Sequence, residues 1–107
     1  MSNPTTLTPQ ESGDVRLRAA ARLLVVARRT DEVSSAAKLH CLAAVGALDL
    51  PADFSGYLIE QRQVFRHQPP ERLLRAALGA LGSLPMRQFS EVRVAAMHAR
   101  RALRALH

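Results

Sequence analysis

The chain has few of the residues that cross-link or rigidify small proteins. It contains one cysteine, no tryptophan, one tyrosine and three phenylalanines. A single cysteine excludes an internal disulfide and favours a reducing, cytoplasmic compartment. Aromatic residues make up 4% of the chain although 48% of it is hydrophobic, so most apolar side chains are small and each buries little area. We expect a modest core that gains stability from dimerisation.

The sequence also lacks the residue clusters that mark catalytic and metal sites. Its histidines are His40, His67, His98 and His107. They share no ligand spacing with one another or with Cys41, so no metal site is predicted. No carboxylate pair is arranged for acid–base catalysis, and no glycine-rich phosphate loop is present. We therefore predict no catalytic or cofactor-binding residues and expect that the protein is not an enzyme.

Features of membrane and secreted proteins are missing as well. No continuous apolar run is long enough to span a bilayer. Residues 1–10 are polar and contain proline, with neither the basic nor the apolar region of a secretory signal. A cytoplasmic protein without membrane contact is expected.

The chain does contain residues that mark where helices begin and end. All six prolines fall where helices should begin or end, and no segment alternates apolar and polar residues as a strand does. The chain of 107 residues is the size of one domain. We predict an all-α fold, a small bundle of about five short helices that dimerises, with residues 1–7 flexible and residues 8–107 forming a single helical domain.

Caps and prolines predict the bounds of the helices. The first helix starts at the capping box Thr8-Pro9-Gln10-Glu11, or at Asp14, and ends near Arg29. The other four are expected over Asp31 to Ala47, Pro51 to the Pro69-Pro70 pair, Pro70 to Gly82, and Pro85 or Arg87 to the C-terminus. Gly82 is interpreted as a left-handed C-cap. In the second helix, the spacing of Ala36, Leu39, Ala43 and either Gly46 or Ala47 predicts the inward face.

The fifth helix carries apolar residues at intervals of three and four. They are Phe89, Val92, Ala96, Ala99, Leu103 and Leu106, and we refer to them as the α5 seam. Such a seam must lie against another helix, either in a second subunit or in the same bundle. Val94 and Met97 add apolar surface beside it, which favours burial on two sides. We predict self-association through the α5 seam, with the innermost helix of a bundle as the alternative.

Arginine dominates the charge of the chain. The chain contains fourteen arginines and one lysine but only nine acidic residues, which gives a formal charge of +6. A basic fifth helix is typical of proteins that bind phosphates of nucleic acid, although high-GC coding bias predicts the same composition. The turn Gly82-Ser83-Leu84-Pro85 suggests a helix-turn-helix, but the next helix opens with Phe89 and lacks polar base-reading side chains.

The third helix holds most of the aromatic residues. Phe54, Tyr57 and Phe65 form a stripe at helical spacing, which is most often core. Arg62 and Arg66 lie nearby, and buried aromatics next to arginine are typical of binding hot spots. These five residues are the predicted surface for a protein partner.

Taken together, the chain resembles a family of small bacterial antiactivators of quorum sensing, the QslA type. The similarity lies in size, five short proline-bounded helices, the Thr8-to-Glu11 cap and the α5 seam, and it fixes no residue-by-residue alignment. It implies an all-α homodimer that binds the ligand-binding domain of a LuxR-type transcription activator, blocks that activator's dimerisation and keeps it off DNA. The alternatives are a basic helical nucleic-acid-binding protein and a secretion-type chaperone for an acidic client.

Overall fold

In the described part of the chain, the regular secondary structure is helical. A computed structural model describes residues 9–29, 33–50, 54–85 and 89–106. In these ranges the chain forms five helices and no strand, and the all-α prediction is confirmed. The helices are α1 (Pro9–Ala27), α2 (Ser35–Ala47), α3 (Phe54–Phe65), α4 (Pro70–Gly82) and α5 (Ser90–Arg104). The segment predicted to be flexible and the capping residue Thr8 lie outside the described residues, as do Asp31, Glu32, Pro51, Arg87 and His107.

Helix α1 is the centre of the fold. It packs against α2, α3 and α4, while α5 packs against α2 and α4. Ala19, Ala20 and Ala21 are all fully buried. Because successive residues turn by about 100°, three buried neighbours mean that α1 is covered on most sides. Four helices, α1, α2, α5 and α4, therefore enclose the core, and α3 lies at its edge against α1.

Helices α2 and α5 run antiparallel. At one end, the hydroxyl of Ser34, just before α2, donates to the carbonyl oxygen of Ala105, just after α5. At the other end, Arg16 of α1 donates both to the carbonyl oxygen of Leu48 and to the carboxylate of Glu91. The last turn of α2 and the first turn of α5 thus meet at the same side chain.

The inward face of α2 differs from the predicted one. Ala37, Cys41, Ala44 and Leu48 are fully buried. Of the residues predicted to face inward, Ala36, Leu39, Ala43 and Gly46 are exposed, and Ala47, the alternative to Gly46, is partly buried. Both sets recur at intervals of three and four, so periodicity alone does not choose between them. The helix carries apolar residues on nearly every side, and packing against α1 and α5 selects the face.

Several helix ends also differ from the predictions; α5, for example, starts at Ser90 rather than at Pro85 or Arg87, and α3 ends at Phe65, before the Pro69-Pro70 pair. Helix α2 starts four residues later than expected, because the side chain of Ser34 accepts a hydrogen bond from the N–H of Ala37 at 3.2 Å and caps the helix there. Gly82 is helical rather than a left-handed cap; Ser83 caps α4 with φ −76°. Asp49, which follows the C-cap of α2, has a positive φ of 46°. Helices commonly end with a residue in the left-handed region at this position.

Candidate interaction surfaces

The α5 seam is covered within the single chain. Val92, Ala96, Ala99 and Leu106 are buried, and Phe89 and Leu103 are partly buried and packed against the core. Their neighbours are α2 and α4 of the same chain. The prediction that these residues join two subunits is therefore corrected. The spacing identified the buried face of α5, and the alternative, an inner helix of the bundle, accounts for it.

The opposite side of α5 is basic and open to solvent. Arg93, Arg100, Arg101 and Arg104 are all exposed. At 100° per residue they share one side of the helix with Val94, which is also exposed, and with the half-buried Met97. We refer to these four arginines as the α5 stripe. The basic character predicted for this helix is thus concentrated away from the core.

Helix α2 presents an apolar surface to solvent, which we call the α2 face. Its members are Ser35, Ala36, Leu39, Leu42, Ala43 and Gly46, all of them exposed. Leu39 is 67% exposed and Leu42 50%. No charged residue lies among the six, and at helical spacing they lie opposite the buried face of α2. Sequence reasoning found four of these residues but assigned them to the core.

The predicted partner surface on α3 divides into an inward and an outward part. Phe65 is buried, and Phe54 and Tyr57 are partly buried against the core. The guanidinium of Arg22 lies over the ring of Phe65, 4.6 Å from its centroid, and that of Arg29 donates to the carbonyl oxygen of Phe65 at 3.2 Å. The aromatic stripe therefore holds α3 on α1.

The outward part of α3 carries the arginines of that prediction. Arg62 and Arg66 are exposed and line a shallow depression together with Ile59 and Gln63. Ile59 is 68% exposed. We call these four residues the α3 patch. It combines two cations with one apolar side chain, and it faces away from the aromatic residues with which the arginines were grouped.

Two histidines that are distant in sequence meet between α2 and α5. Nδ1 of His40 lies 3.2 Å from Nδ1 of His98, and the ring centroids are 5.4 Å apart. The pKa of His98 is lowered, first by partial burial and then by the charges of His40 and Arg101. No sequence pattern indicated this contact, because 58 residues separate the pair and only the packing of α2 on α5 brings the two rings together.

Arg16 links three parts of the chain. Its Nη2 donates to Oε1 of Glu91 at 2.9 Å, and its guanidinium lies 4.8 Å from the ring centroid of Phe89. The pKa of Glu91 is lowered chiefly by a hydrogen bond from its own backbone N–H; loss of solvent opposes this, and the hydrogen bond and charge of Arg16 lower the pKa further. The arginine side chain is only 13% exposed, so this contact is part of the fold.

Cys41 is part of the core, as predicted. It is fully buried and free, and burial raises its pKa to about 12. His40 and Cys41 point in different directions on α2, so no thiolate–imidazole pair forms. In the described ranges no three His, Cys, Asp or Glu side chains lie close enough together to hold a metal ion.

None of the helices in the described residues has the length and apolar character needed to cross a membrane.

Comparison with protein-family models, with curated proteins and with solved structures gave no significant match to the chain.

Proposed function

We propose that this protein is a binding module that pairs with a second copy of itself through the α2 face and uses the α3 patch to hold a protein partner. The observation that carries the proposal is the exposed apolar surface on α2, which remains after the single chain has packed. An exposed patch of this kind on a small protein is typical of an interaction site.

The charge of the chain favours a second copy as the occupant of the α2 face. The formal charge is +6, and the α5 stripe alone carries four cations, so two copies repel each other over most of their surface. The α2 face has no charge along its whole length. It is therefore the surface on which two copies can approach with little repulsion, and a two-fold axis through it brings the same residues together.

The shapes of the side chains support the same occupant. Ala36, Ala43 and Gly46 leave shallow positions on the helix surface, and Leu39 and Leu42 project between them. In an antiparallel pair of α2 helices, the leucines of one copy fit the small residues of the other. A helix of 13 residues gives such a contact a length of about 20 Å.

The test compares two substitutions of equal chemistry. Leu39→Arg places a charge on the α2 face, and Val64→Arg does the same on α3, where Val64 is 61% exposed and outside both proposed surfaces. Light scattering coupled to size exclusion should give the mass of a dimer for the wild type and Val64→Arg, and 11.7 kDa for Leu39→Arg. A monomeric wild type, or a dimer that Leu39→Arg leaves intact, would contradict the proposal.

The second surface, the α3 patch, suits a partner with acidic groups around an apolar contact. Arg62 and Arg66 line the same depression as Ile59. Arginine is enriched among the interface residues that contribute most to binding free energy, and it pairs well with carboxylates. The resemblance to quorum-sensing antiactivators implies that this partner is the ligand-binding domain of a LuxR-type activator, which makes the protein a regulator that acts by sequestration. A chaperone for an acidic secreted client would use the same chemistry.

Charge reversal tests the partner proposal. Arg62→Glu with Arg66→Glu should abolish binding to a purified LuxR-type ligand-binding domain, measured by calorimetry. Arg100→Glu with Arg104→Glu makes the same change of charge on the α5 stripe and should leave that binding intact. If the wild type does not bind the domain at all, the antiactivator proposal fails and the acidic client becomes the better candidate.

A second candidate function, nucleic-acid binding, is favoured by the α5 stripe. Its four exposed arginines lie on one side of a helix, as phosphate contacts require. A protein that binds in this way should retard duplex DNA at low salt and lose roughly 10³-fold or more in affinity between about 50 and 200 mM salt. The Arg100→Glu, Arg104→Glu variant should then fail to retard DNA. No retardation by the wild type at low salt would exclude this candidate.

A further inference from the structure

We propose that His40 and His98 together form a two-imidazole chelate for a divalent transition-metal ion. The two rings belong to different helices, α2 and α5, and both are half-buried with access to solvent. Their Nδ1 atoms face each other at 3.2 Å. The inference concerns the contact between these helices and does not depend on the function proposed above.

The geometry of the pair fits a shared ion. Two imidazole nitrogens at about 2.0–2.1 Å from one tetrahedral ion are about 3.3 Å apart, against 3.2 Å between the Nδ1 atoms. With both rings directed at the ion, their centroids are about 5.2 Å apart, and the observed separation is 5.4 Å. The two Nδ1 atoms therefore already lie at the separation that a shared ion requires.

Without metal, the same distance is that of a hydrogen bond. One neutral ring donates its Nδ1–H to the lone pair on Nδ1 of the other. When the ion binds, this proton moves through solvent from Nδ1 to Nε2 of the donor ring, so that the ring stays neutral and both Nδ1 lone pairs are free for the ion. The hydrogen bond thus holds the two Nδ1 atoms at the separation that the ion needs.

The donor set defines the class of ion. Imidazole nitrogen suits zinc, copper and nickel, whereas magnesium and calcium prefer oxygen ligands. No third His, Cys, Asp or Glu of the described residues completes the group, so water fills the remaining positions. Arg101 lies near enough to His98 for its charge to lower the pKa of that ring, and the same charge opposes a cation. The site is therefore expected to bind more weakly than a four-ligand structural site.

Thermal unfolding of the untagged protein tests the chelate. An ion present at about five times its dissociation constant should raise Tm by roughly 4–8 °C in a domain of this size. Zinc and nickel chlorides should produce this rise, EDTA should reverse it, and magnesium chloride should have no effect. His98→Ala and His40→Ala should lose the shift. His67→Ala removes an exposed histidine from the turn after α3 and should keep it.

A second measurement avoids dependence on the stability of the variants. Competition with a coloured zinc chelator at 20 °C should show one site in the wild type and in His67→Ala, and none in His98→Ala. Arg101→Gln should bind zinc more tightly than the wild type, because it removes a cation without touching a ligand. Equal zinc binding by His98→Ala and the wild type, or the absence of binding by the wild type, would overturn the proposal.

Discussion

Arg16 of α1 and Glu91 of α5 are 75 residues apart in the chain and form an ion pair at 2.9 Å. The pair lies where the first turn of α5 meets the end of α2, since Arg16 also donates to the carbonyl oxygen of Leu48 at 3.4 Å. The contact therefore fixes three helices relative to one another. Because the arginine is largely enclosed, solvent screens it less than an ordinary surface pair.

A double-mutant cycle should measure this link. Arg16→Met retains most of the apolar stem but removes the charge and both hydrogen bonds, and we expect it to lower Tm by roughly 4–8 °C. Glu91→Gln should have a smaller effect, because the amide oxygen can still accept a hydrogen bond. In the double variant the losses should be less than additive, as measured by chemical denaturation. Strict additivity would show that the two side chains act independently.

The same carboxylate should make the protein sensitive to acid. The pKa of Glu91 is lower in the folded chain than its ordinary value of 4.5, so the unfolded chain takes up this proton first as the pH falls. The contribution of Glu91 is therefore complete above pH 4.5 and is lost as the pH falls through the lower, folded pKa. Stability measured from pH 6 to pH 3 should fall less steeply for Glu91→Gln than for the wild type. Parallel curves would contradict this assignment.

The thiol of Cys41 should be inert in the folded protein. Burial raises its pKa to about 12 from 9.0, which leaves roughly 10³-fold less thiolate at pH 8 than in the unfolded chain. Labelling with a thiol-reactive disulfide reagent should be slow in buffer and rapid in denaturant. Comparable rates in both conditions would mean that α2 detaches readily from the core.

Two glycines provide a matched test of the α2 face. Gly46 and Gly79 are both exposed and helical, and a Cβ added to either meets nothing within 4 Å. Gly46→Ala and Gly79→Ala should each stabilise the folded chain by up to about 1 kcal/mol. Only Gly46→Ala should weaken the proposed dimer, because its methyl group would enter the close contact between the two copies. Equal dissociation constants for the two variants would argue against close packing at Gly46.

Prolines and caps made the helix order readable from the sequence. Pro70 stands at the first position of α4 and the Pro69-Pro70 pair separates α3 from α4, as predicted. The seam of α5 also predicted correctly which side of that helix is buried. It did not reveal what covers that side, because a helix of the same chain and one of a partner select the same apolar residues.

The missed features have a common physical origin. In α2, alanines, leucines and a glycine occur on almost every side of the helix. The sequence of α2 therefore cannot decide whether Ala36 or Ala37 faces the core; the positions of α1 and α5 decide it. The His40–His98 contact depends on the same placement, since it brings together helices that are not adjacent in the chain. Local periodicity gives the face of a helix only when its other faces are polar.

The peripheral position of α3 has a consequence for how the proposed partner would be bound. This helix packs mainly on α1 and turns most of its circumference to solvent, so local opening there takes less free energy than disruption of the enclosed helices. Its backbone amides should exchange with deuterium sooner than those of α1. The segment that bears Arg62 and Arg66 can thus adjust its shape to a bound molecule while the remaining four helices keep theirs.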